Sequence, residues 1–136
     1  MERKITLNRL SVIYHPKGDV MHALKKSDNG FAGFEEAYFT TIKYGEIKGW
    51  KLHKKMTMNL IVPSGSVMFF IYNELLNKTF NYELGSSCYN RLTISPMLWV
   101  AFKGQSSGLN LILNLSNLEH DPEEAENAPL DTFKLV

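Results

Sequence analysis

The residues with the clearest chemical potential lie between two glycines, Gly45 and Gly65. One histidine and several lysines occupy this segment, at Lys48, Lys51, His53, Lys54 and Lys55. An apolar run with a strand-like ending follows at residues 56–62. Histidine titrates near neutral pH and is the most common general acid or base, and cations stabilise developing negative charge. A cluster of this kind that leads into the core indicates a presented functional site.

Short strand patterns separated by turn residues must position that site. Aromatic and β-branched residues recur between clusters of Gly, Pro, Asn and Ser, and residues 37–115 contain no capped helix pattern. Such spacing predicts an all-β sandwich or barrel. The predicted strands cover residues 5–14, 20–24, 37–44, 47–52, 58–62, 67–72, 79–84, 89–94, 98–102 and 109–115.

Composition restricts the class of protein. The chain of 136 residues is long enough for one domain with its own core, and we expect residues 1–136 to form that domain. A net charge of +1 gives no reason to expect nucleic acid or an acidic membrane as partner. The single cysteine, Cys88, favours a reducing compartment. Without an apolar run of about 18 residues or a signal peptide, the expected location is cytoplasmic.

The glycine segment has the spacing of a known metal-binding motif. Counted from Gly45, the positions of Lys51, His53, Met58 and Gly65 resemble the first motif of the cupins. The resemblance implies a jelly-roll β-sandwich or barrel. Cupins there carry two histidines and a glutamate, but this chain has Lys51 and Met58 at two of those places, and the region that matches the second motif, residues 96–102, contains no histidine. Because a catalytic metal needs about three protein ligands, we expect no metal and no cofactor. A metal-dependent cupin is the less favoured alternative.

Other residues narrow the resemblance to one cupin branch. The segment KGWKLHKKMTMNLIVPSG resembles the dTDP-4-dehydrorhamnose 3,5-epimerase family, and more particularly its shorter relatives. Further matching pieces follow in order and cover most of the chain: Gly18 with Met21-His22, Tyr38-Phe39-x-Thr41, Tyr89-Asn90-Arg91-Leu92, Pro96 with Trp99 and Phe102-Lys103-Gly104, and His120-Asp121-Pro122-Glu123-Glu124.

This resemblance implies a reaction that needs no metal. Family members act on nucleotide-linked 4-keto-6-deoxy sugars. In these enzymes a histidine that is oriented by an aspartate removes a proton from the carbon beside the keto group of the sugar. A basic residue stabilises the enolate, and a tyrosine returns a proton. Lys48 falls on the basic residue and Lys51 on the catalytic histidine. His53 matches the second member of the His-x-His pair of the related sugar 3,4-ketoisomerases.

Lys51 is a departure from that pattern. Lysine with its ordinary pKa of about 10.4 is protonated at neutral pH, so Lys51 would be a base only if its surroundings lowered that pKa. His53 is therefore the remaining candidate base. The alternative for His53 is a strand histidine that is hydrogen-bonded to a neighbour. Lys54 and Lys55 are expected to be solvated. If Lys51 and His53 face inward, Trp50 and Leu52 pack outside, at a possible dimer interface.

We predict substrate contacts from five further residues, His22, Asn59, Tyr72, Arg91 and Trp99. His22 falls near the nucleotide in longer relatives, with an exposed strand-end histidine as the alternative. Arg91 suits a diphosphate because its guanidinium donates bidentate hydrogen bonds, but a surface pair with Glu83 or Glu46 is equally favoured. Trp99 is expected in the core or the pocket wall. The family's tyrosine has three candidates: Tyr72, Tyr82 and Tyr89.

The acidic tail, residues 119–136, is expected to wrap the surface as loop or a short helical turn. A His–Asp dyad or metal ligation at His120 and Asp121 is less favoured, and Glu123 and Glu124 are expected to be solvated.

Two functions from different classes remain. The first is an isomerase, an epimerase or ketoisomerase, that acts on a dTDP-linked sugar in surface-polysaccharide (O-antigen) synthesis. The second is a non-catalytic cupin that binds a nucleotide sugar or a partner enzyme, since Lys51 replaces the base. The resemblance also implies a homodimer.

Overall fold

The computed structural model describes residues 2–136, and their regular structure is β-strand apart from two short 3-10 turns. The all-β prediction is confirmed. The strands are β1 Ile5–Arg9, β2 Val12–Ile13, β3 Val20–Met21, β4 Glu36–Thr41, β5 Ile47–His53, β6 Met58–Ser64, β7 Ser66–Asn73, β8 Lys78–Gly85, β9 Asn90–Ile94, β10 Trp99–Gly104, β11 Leu111–Ser116 and β12 Ala125–Asn127. The 3-10 turns are Pro122–Glu124 and Leu130–Thr132. This part of the chain has no helix that is long and apolar enough to cross a membrane.

Two antiparallel five-stranded sheets form the body of the molecule. The first has the strand order β1-β9-β6-β11-β4, and the second has the order β12-β5-β10-β7-β8. Non-consecutive strands therefore lie side by side, so residues far apart in the chain meet. A separate hairpin of β2 and β3 follows the first strand. The strand predicted over residues 5–14 is thus divided between β1 and β2.

The main core contains buried side chains from both sheets. Apolar residues of β6, β9 and β11 pack with those of β7, β8 and β10, and alternation along each strand supplies this inner face. The fully buried members include Val62, Val67, Phe69, Ile71, Leu84, Leu92 and Ile94. Removal of these side chains from water provides the main stabilisation of the fold.

A second apolar cluster lies apart from the main core and includes the C-terminal segment. Trp50, Leu52, Phe70, Trp99 and Ala101 are buried there, and Ala128, Phe133 and Leu135 pack against them. We call residues 125–135 the C-terminal strap. The interpretation that Trp50 and Leu52 form a dimer interface is therefore wrong, because the chain's own strap covers these side chains.

A β-bulge between β5 and β10 sets the direction of the lysines. Lys51 pairs with Val100 and Lys48 with Phe102, so two residues of β5, Gly49 and Trp50, lie opposite Ala101. Gly49 has φ +151°, and a Cβ there would collide with Ala101. Strict alternation would put Lys48 on the opposite face from Lys51. The bulge instead brings both lysines to the same face of β5.

Candidate active site

A cavity of about 330 Å³ lies beside β5, between the two sheets. Its apolar side chains come from the main core: Met58, Leu60, Phe69, Val100, Phe102 and Ile112. Its polar side chains are Tyr38, Thr40, Lys48, Lys51, His53, Asn114 and Asn127. The three residues that sequence analysis assigned to catalysis, Lys48, Lys51 and His53, therefore line one cavity. An apolar pocket with a few convergent polar groups has the usual composition of a small-molecule site.

His53 is held in this cavity by a buried carboxylate. Its Nδ1 lies 2.7 Å from Oε1 of Glu124, and the two side chains are only 11% and 4% exposed. The other carboxylate oxygen, Oε2, accepts hydrogen bonds from the backbone N–H groups of Lys55 at 2.9 Å and Met56 at 3.0 Å. Both oxygens of Glu124 are therefore engaged, and this fixes the carboxylate beside the imidazole.

The electrostatics of Glu124 determine which imidazole nitrogen is protonated. Burial raises the pKa of the Glu124 carboxyl, but hydrogen bonds from Lys55, His53 and Met56 outweigh it and hold the pKa below its ordinary value. An ionised carboxylate can only accept, so Nδ1 of His53 carries the hydrogen that it donates. In the neutral ring, Nε2 then keeps its lone pair and can take a proton.

The burial of Glu124 corrects the expectation that it is solvated. Asp121 caps the first 3-10 turn by accepting the N–H of Glu123 at 3.0 Å, and Pro122 starts that turn. The backbone N–H of Lys54 then donates to the Glu124 carbonyl at 2.9 Å, and β12 pairs with β5. The tail includes the predicted helical turn, but it also adds an edge strand to the second sheet.

The two lysines differ in their partners. Nζ of Lys48 donates to the backbone carbonyl of Thr41 at 3.0 Å. Within residues 2–136 the Lys51 side chain has no hydrogen bond or ion pair. A smaller neighbouring cavity of about 190 Å³ shares Tyr38, Lys51 and His53 with the first, and it is also lined by Glu36, His120, Asp121 and Glu124. Lys51 and His53 thus border both spaces.

Solved structures with this fold identify its relatives. The structure superposes on a dTDP-sugar isomerase from Desulfovibrio desulfuricans G20 with a TM-score of 0.89 and 28% identity, covering 94% of this chain and 85% of that one. This similarity supports the resemblance of the chain to the dTDP-4-dehydrorhamnose 3,5-epimerase-like cupins. No protein-family model matches it, and a search of curated proteins found no match.

Two more distant structures share this cupin fold. A variant of the 3,4-ketoisomerase QdtA from Thermoanaerobacterium thermosaccharolyticum, in complex with TDP-4-keto-6-deoxyglucose, has a TM-score of 0.79 and 22% identity over 93% of this chain and 88% of that one. The 3,5-epimerase RmlC from Legionella pneumophila, in complex with dTDP-4-keto-L-rhamnose, has a TM-score of 0.81 and 12% identity over 93% and 73%. The jelly-roll sandwich expected of a cupin is confirmed.

The metal positions of this cupin carry other side chains. Lys51 and Met58 both line the cavity beside His53. Among residues 2–136 no group of three or more His, Cys, Asp or Glu side chains is arranged to hold a metal ion. The donor set of this cavity therefore falls short of the roughly three ligands of a catalytic site.

Tyr38 is a site residue that sequence analysis did not select. It lines both cavities, and its hydroxyl oxygen accepts a hydrogen bond from Nδ2 of Asn114 at 2.9 Å. Because the hydroxyl oxygen is the acceptor in that bond, its proton remains available for donation. The available signal was the family piece Tyr38-Phe39-x-Thr41, which was used to identify the family but not to choose the tyrosine.

The other tyrosines lie elsewhere in this cupin. The hydroxyl of Tyr72 donates to Oδ1 of Asn77 at 2.6 Å, and its ring stacks on Phe133 of the strap. The hydroxyl of Tyr89 donates to the backbone carbonyl of His22 at 2.8 Å, and burial raises the pKa of Tyr89. Neither these two nor Tyr82 lines the main cavity.

Arg91 and His22 border a different cavity, also of about 330 Å³. The Arg91 side chain is buried and donates to the carbonyls of Ala23 at 3.1 Å and Asn29 at 2.8 Å. It also lies 3.3 Å from a carboxylate oxygen of Asp28. The alternative pairing of Arg91 with Glu83 or Glu46 is wrong, since its acidic partner is Asp28.

Asn59 and Trp99 also lie outside the main cavity. The buried Asn59 side chain donates to the Gly30 carbonyl at 3.1 Å and accepts from the Thr93 hydroxyl at 2.6 Å. The indole N–H of Trp99 donates to Glu74 at 2.8 Å, and its ring packs on Phe133. The predicted substrate contacts are therefore separated from the cavity that holds His53. Their role in substrate binding stays a prediction.

Proposed function

We propose that this protein is an isomerase that transfers a proton on a nucleotide-linked 4-keto-6-deoxy sugar, with dTDP as the nucleotide. The observation that carries the proposal is the His53–Glu124 pair at a cavity with two lysines. A histidine with one nitrogen fixed and the other unoccupied has the arrangement required of a general base. The dTDP-sugar isomerases and epimerases that share the fold support this substrate class.

The reaction begins with the C–H bond beside the keto group. Nε2 of His53 takes the proton from that carbon, and the bonding electron pair moves toward the C4 carbonyl and produces an enolate. Glu124 holds Nδ1–H and stabilises the imidazolium that forms, because the ionised carboxylate lies 2.7 Å away. Proton transfer of this kind contributes about 10²–10⁴-fold to rate.

The remaining polar groups complete the cycle. The Lys48 and Lys51 ammonium groups stabilise the negative oxygen of the enolate and the diphosphate of the substrate. Return of the proton to the carbon from the opposite face, with Tyr38 as donor, gives an epimer. When the proton was taken from C3, a ketoisomer forms instead: the C4 enolate oxygen gains a proton, the C3 hydroxyl loses one, and the C4 carbon takes the proton that His53 holds, so that the carbonyl moves to C3. The family expectation of a homodimer is part of the proposal, and light scattering on the purified protein checks it.

Proton exchange in D2O tests the proposal. The protein is incubated with dTDP-4-keto-6-deoxyglucose in D2O, and the sugar is followed by ¹H NMR. We expect loss of the signal at C3 or C5 and the appearance of an isomerised sugar. dTDP-glucose, which has no keto group to acidify its C–H bonds, is the matched control and should not exchange. An unchanged spectrum of the keto sugar under these conditions would contradict the proposal.

The replacement of the family's histidine by Lys51 favours one alternative function. In that case the cupin binds the nucleotide sugar without turnover, as a module that supports a partner enzyme. Calorimetry separates the two functions. Binding of a dTDP-sugar that is unaffected by His53→Asn, together with the absence of exchange, supports the binding module, whereas exchange that depends on His53 supports the isomerase.

A further inference from the structure

We propose that Phe133 is a positioning residue that holds Glu124 against His53 by anchoring the C-terminal strap to the second sheet. This inference rests on the proposed function of His53. Phe133 does not line the cavity, and its action would pass through the strap to Glu124. Phe133 lies outside the cupin motif, so comparison of the sequence with that motif does not identify it.

The ring of Phe133 is held by three aromatic side chains. It stacks on Tyr72 with ring centroids 4.0 Å apart and an interplanar angle of 15°. Its centroid is 5.5 Å from that of Trp50 in an edge-on arrangement and 5.5 Å from that of Trp99. Aromatic pairs of this geometry contribute beyond their buried area. Tyr72 and Trp99, two predicted substrate contacts, therefore bind the protein's own phenylalanine.

Hydrogen bonds connect this anchor to the His–Glu pair along one side of β5. The indole N–H of Trp50 donates to the carbonyl of Leu130 at 2.9 Å. The backbones of Trp50 and Ala128 exchange two hydrogen bonds of 3.0 Å. Ala125, the residue after Glu124, pairs directly with His53. The strap thus runs antiparallel to β5 from the aromatic anchor to the residue that holds the imidazole.

The strap needs the anchor because its strand is short. β12 has three residues and lies at the edge of its sheet, so it pairs only with β5. A strand of this length supplies few ladder hydrogen bonds and little apolar contact, and short edge segments open readily. Glu124 immediately precedes β12. A loosened strap would therefore change the position of the carboxylate relative to His53.

Phe133→Ala tests this coupling in the full-length protein. We expect kcat for the isomerisation to fall on the order of 10²-fold with KM little changed, because a small displacement of a catalytic group has that effect while the cavity is intact. ¹⁵N NMR of the imidazole gives a second readout that needs no substrate. Wild-type protein should show His53 with hydrogen on Nδ1, and Phe133→Ala should lose that preference.

Two further variants keep the test decisive. Phe133→Leu retains an apolar anchor and should restore most of kcat and of the Nδ1–H signal. Phe34→Ala removes an aromatic ring that is 56% exposed, and it should change neither. If Phe133→Ala does not fold, Phe133→Leu alone decides, with a partial loss expected in both measurements.

The outcomes separate this inference from the proposed function. The role of Phe133 is overturned if folded Phe133→Ala protein has wild-type kcat and an unchanged His53 tautomer. The same result for Phe133→Leu decides where Phe133→Ala does not fold. Either result leaves the isomerase proposal intact. If the wild-type protein shows no turnover, the isomerase proposal fails, and the tautomer of His53 still tests whether Phe133 positions Glu124.

Discussion

Two largely buried ionic pairs among residues 2–136, Arg91 with Asp28 and His53 with Glu124, differ in what their side chains bind. The guanidinium NH1 and NH2 groups of Arg91 donate to two backbone carbonyls and to Asp28. Its Nε, which is enclosed by protein, has no partner among the described residues. Among the described residues, the imidazole of His53 has a hydrogen-bond partner at Nδ1 only, and the ring borders two cavities.

Under the proposed function, this difference separates a pair that stabilises the fold from a pair that can transfer a proton. Buried NH1 and NH2 groups that donate to carbonyls of their own chain stabilise the fold, and exchange of those bonds for a ligand would leave the carbonyls unpaired. A side chain that is hydrogen-bonded at one polar atom only is oriented by the protein, and its other polar atom stays available to a ligand. Burial and charge alone therefore do not identify a site. The number of unoccupied polar atoms facing a cavity is more informative.

The largest expected effect is that of His53→Asn. Loss of the general base should reduce deuterium exchange into the keto sugar by about 10²–10⁴-fold, since proton transfer by a positioned side chain contributes this much. The matched control is His22→Asn at the other cavity, and its exchange rate should equal that of wild type. NMR exchange rates measure both. A comparable loss of exchange rate in the His22 variant would indicate that the second cavity is part of the substrate site.

Arg91→Met should reduce stability rather than binding. It leaves Asp28 and two carbonyls without their donor, so we expect the free energy of unfolding to fall by about 3 kcal/mol. Urea unfolding measures this change. The Kd for dTDP, measured by calorimetry on folded protein, should stay at the wild-type value. A tenfold weaker Kd would instead support the predicted contact between Arg91 and the nucleotide.

A smaller effect is expected at the lysines. Lys51→Met removes an ammonium group from the cavity and should weaken dTDP binding by about tenfold, which corresponds to one charged hydrogen bond. Lys54→Met is the control, because Lys54 lies near Glu126 and outside the cavity lining. Calorimetry at low and high salt checks both variants. Equal Kd values for the two variants would argue against a substrate role for Lys51.

The last prediction concerns the pH dependence of stability. The pKa of Glu124 is lowered on folding, so its ionised form stabilises the native state. This contribution is complete above the ordinary value of 4.5 and is lost as the pH falls through the lowered value. The difference in unfolding free energy between wild type and Glu124→Gln should therefore shrink as the medium becomes more acidic. A difference in unfolding free energy that grows toward low pH would show that folding does not lower the pKa of Glu124.

Local patterns predicted most of the fold. The strands and turns follow from alternation and from Gly, Pro and Asn clusters, because each depends on a few neighbouring residues. The inward direction of Lys51 and His53 also follows from alternation. The direction of Lys48 does not, because the bulge opposite Ala101 shifts the register, and this shift depends on the pairing of two distant strands.

Long-range contacts account for the residues that sequence analysis missed. Glu124 is 71 residues from His53, and nothing in an acidic stretch distinguishes a buried carboxylate from a solvated one. Tyr72 was a candidate for the family's tyrosine, and Trp99 was expected in the core or the pocket wall. Their partner proved to be Phe133, whose position depends on how the strap folds back. No spacing within the strands predicts that contact.

The aromatic cluster under the strap also gives the molecule an internal optical reporter. The chain has two tryptophans, Trp50 and Trp99, and both rings pack on Phe133. Their emission spectrum should therefore respond to hydration of this cluster. Release of the strap would expose both indoles at once and shift their fluorescence to longer wavelength. Steady-state fluorescence of the unlabelled protein can thus follow docking of the strap in real time.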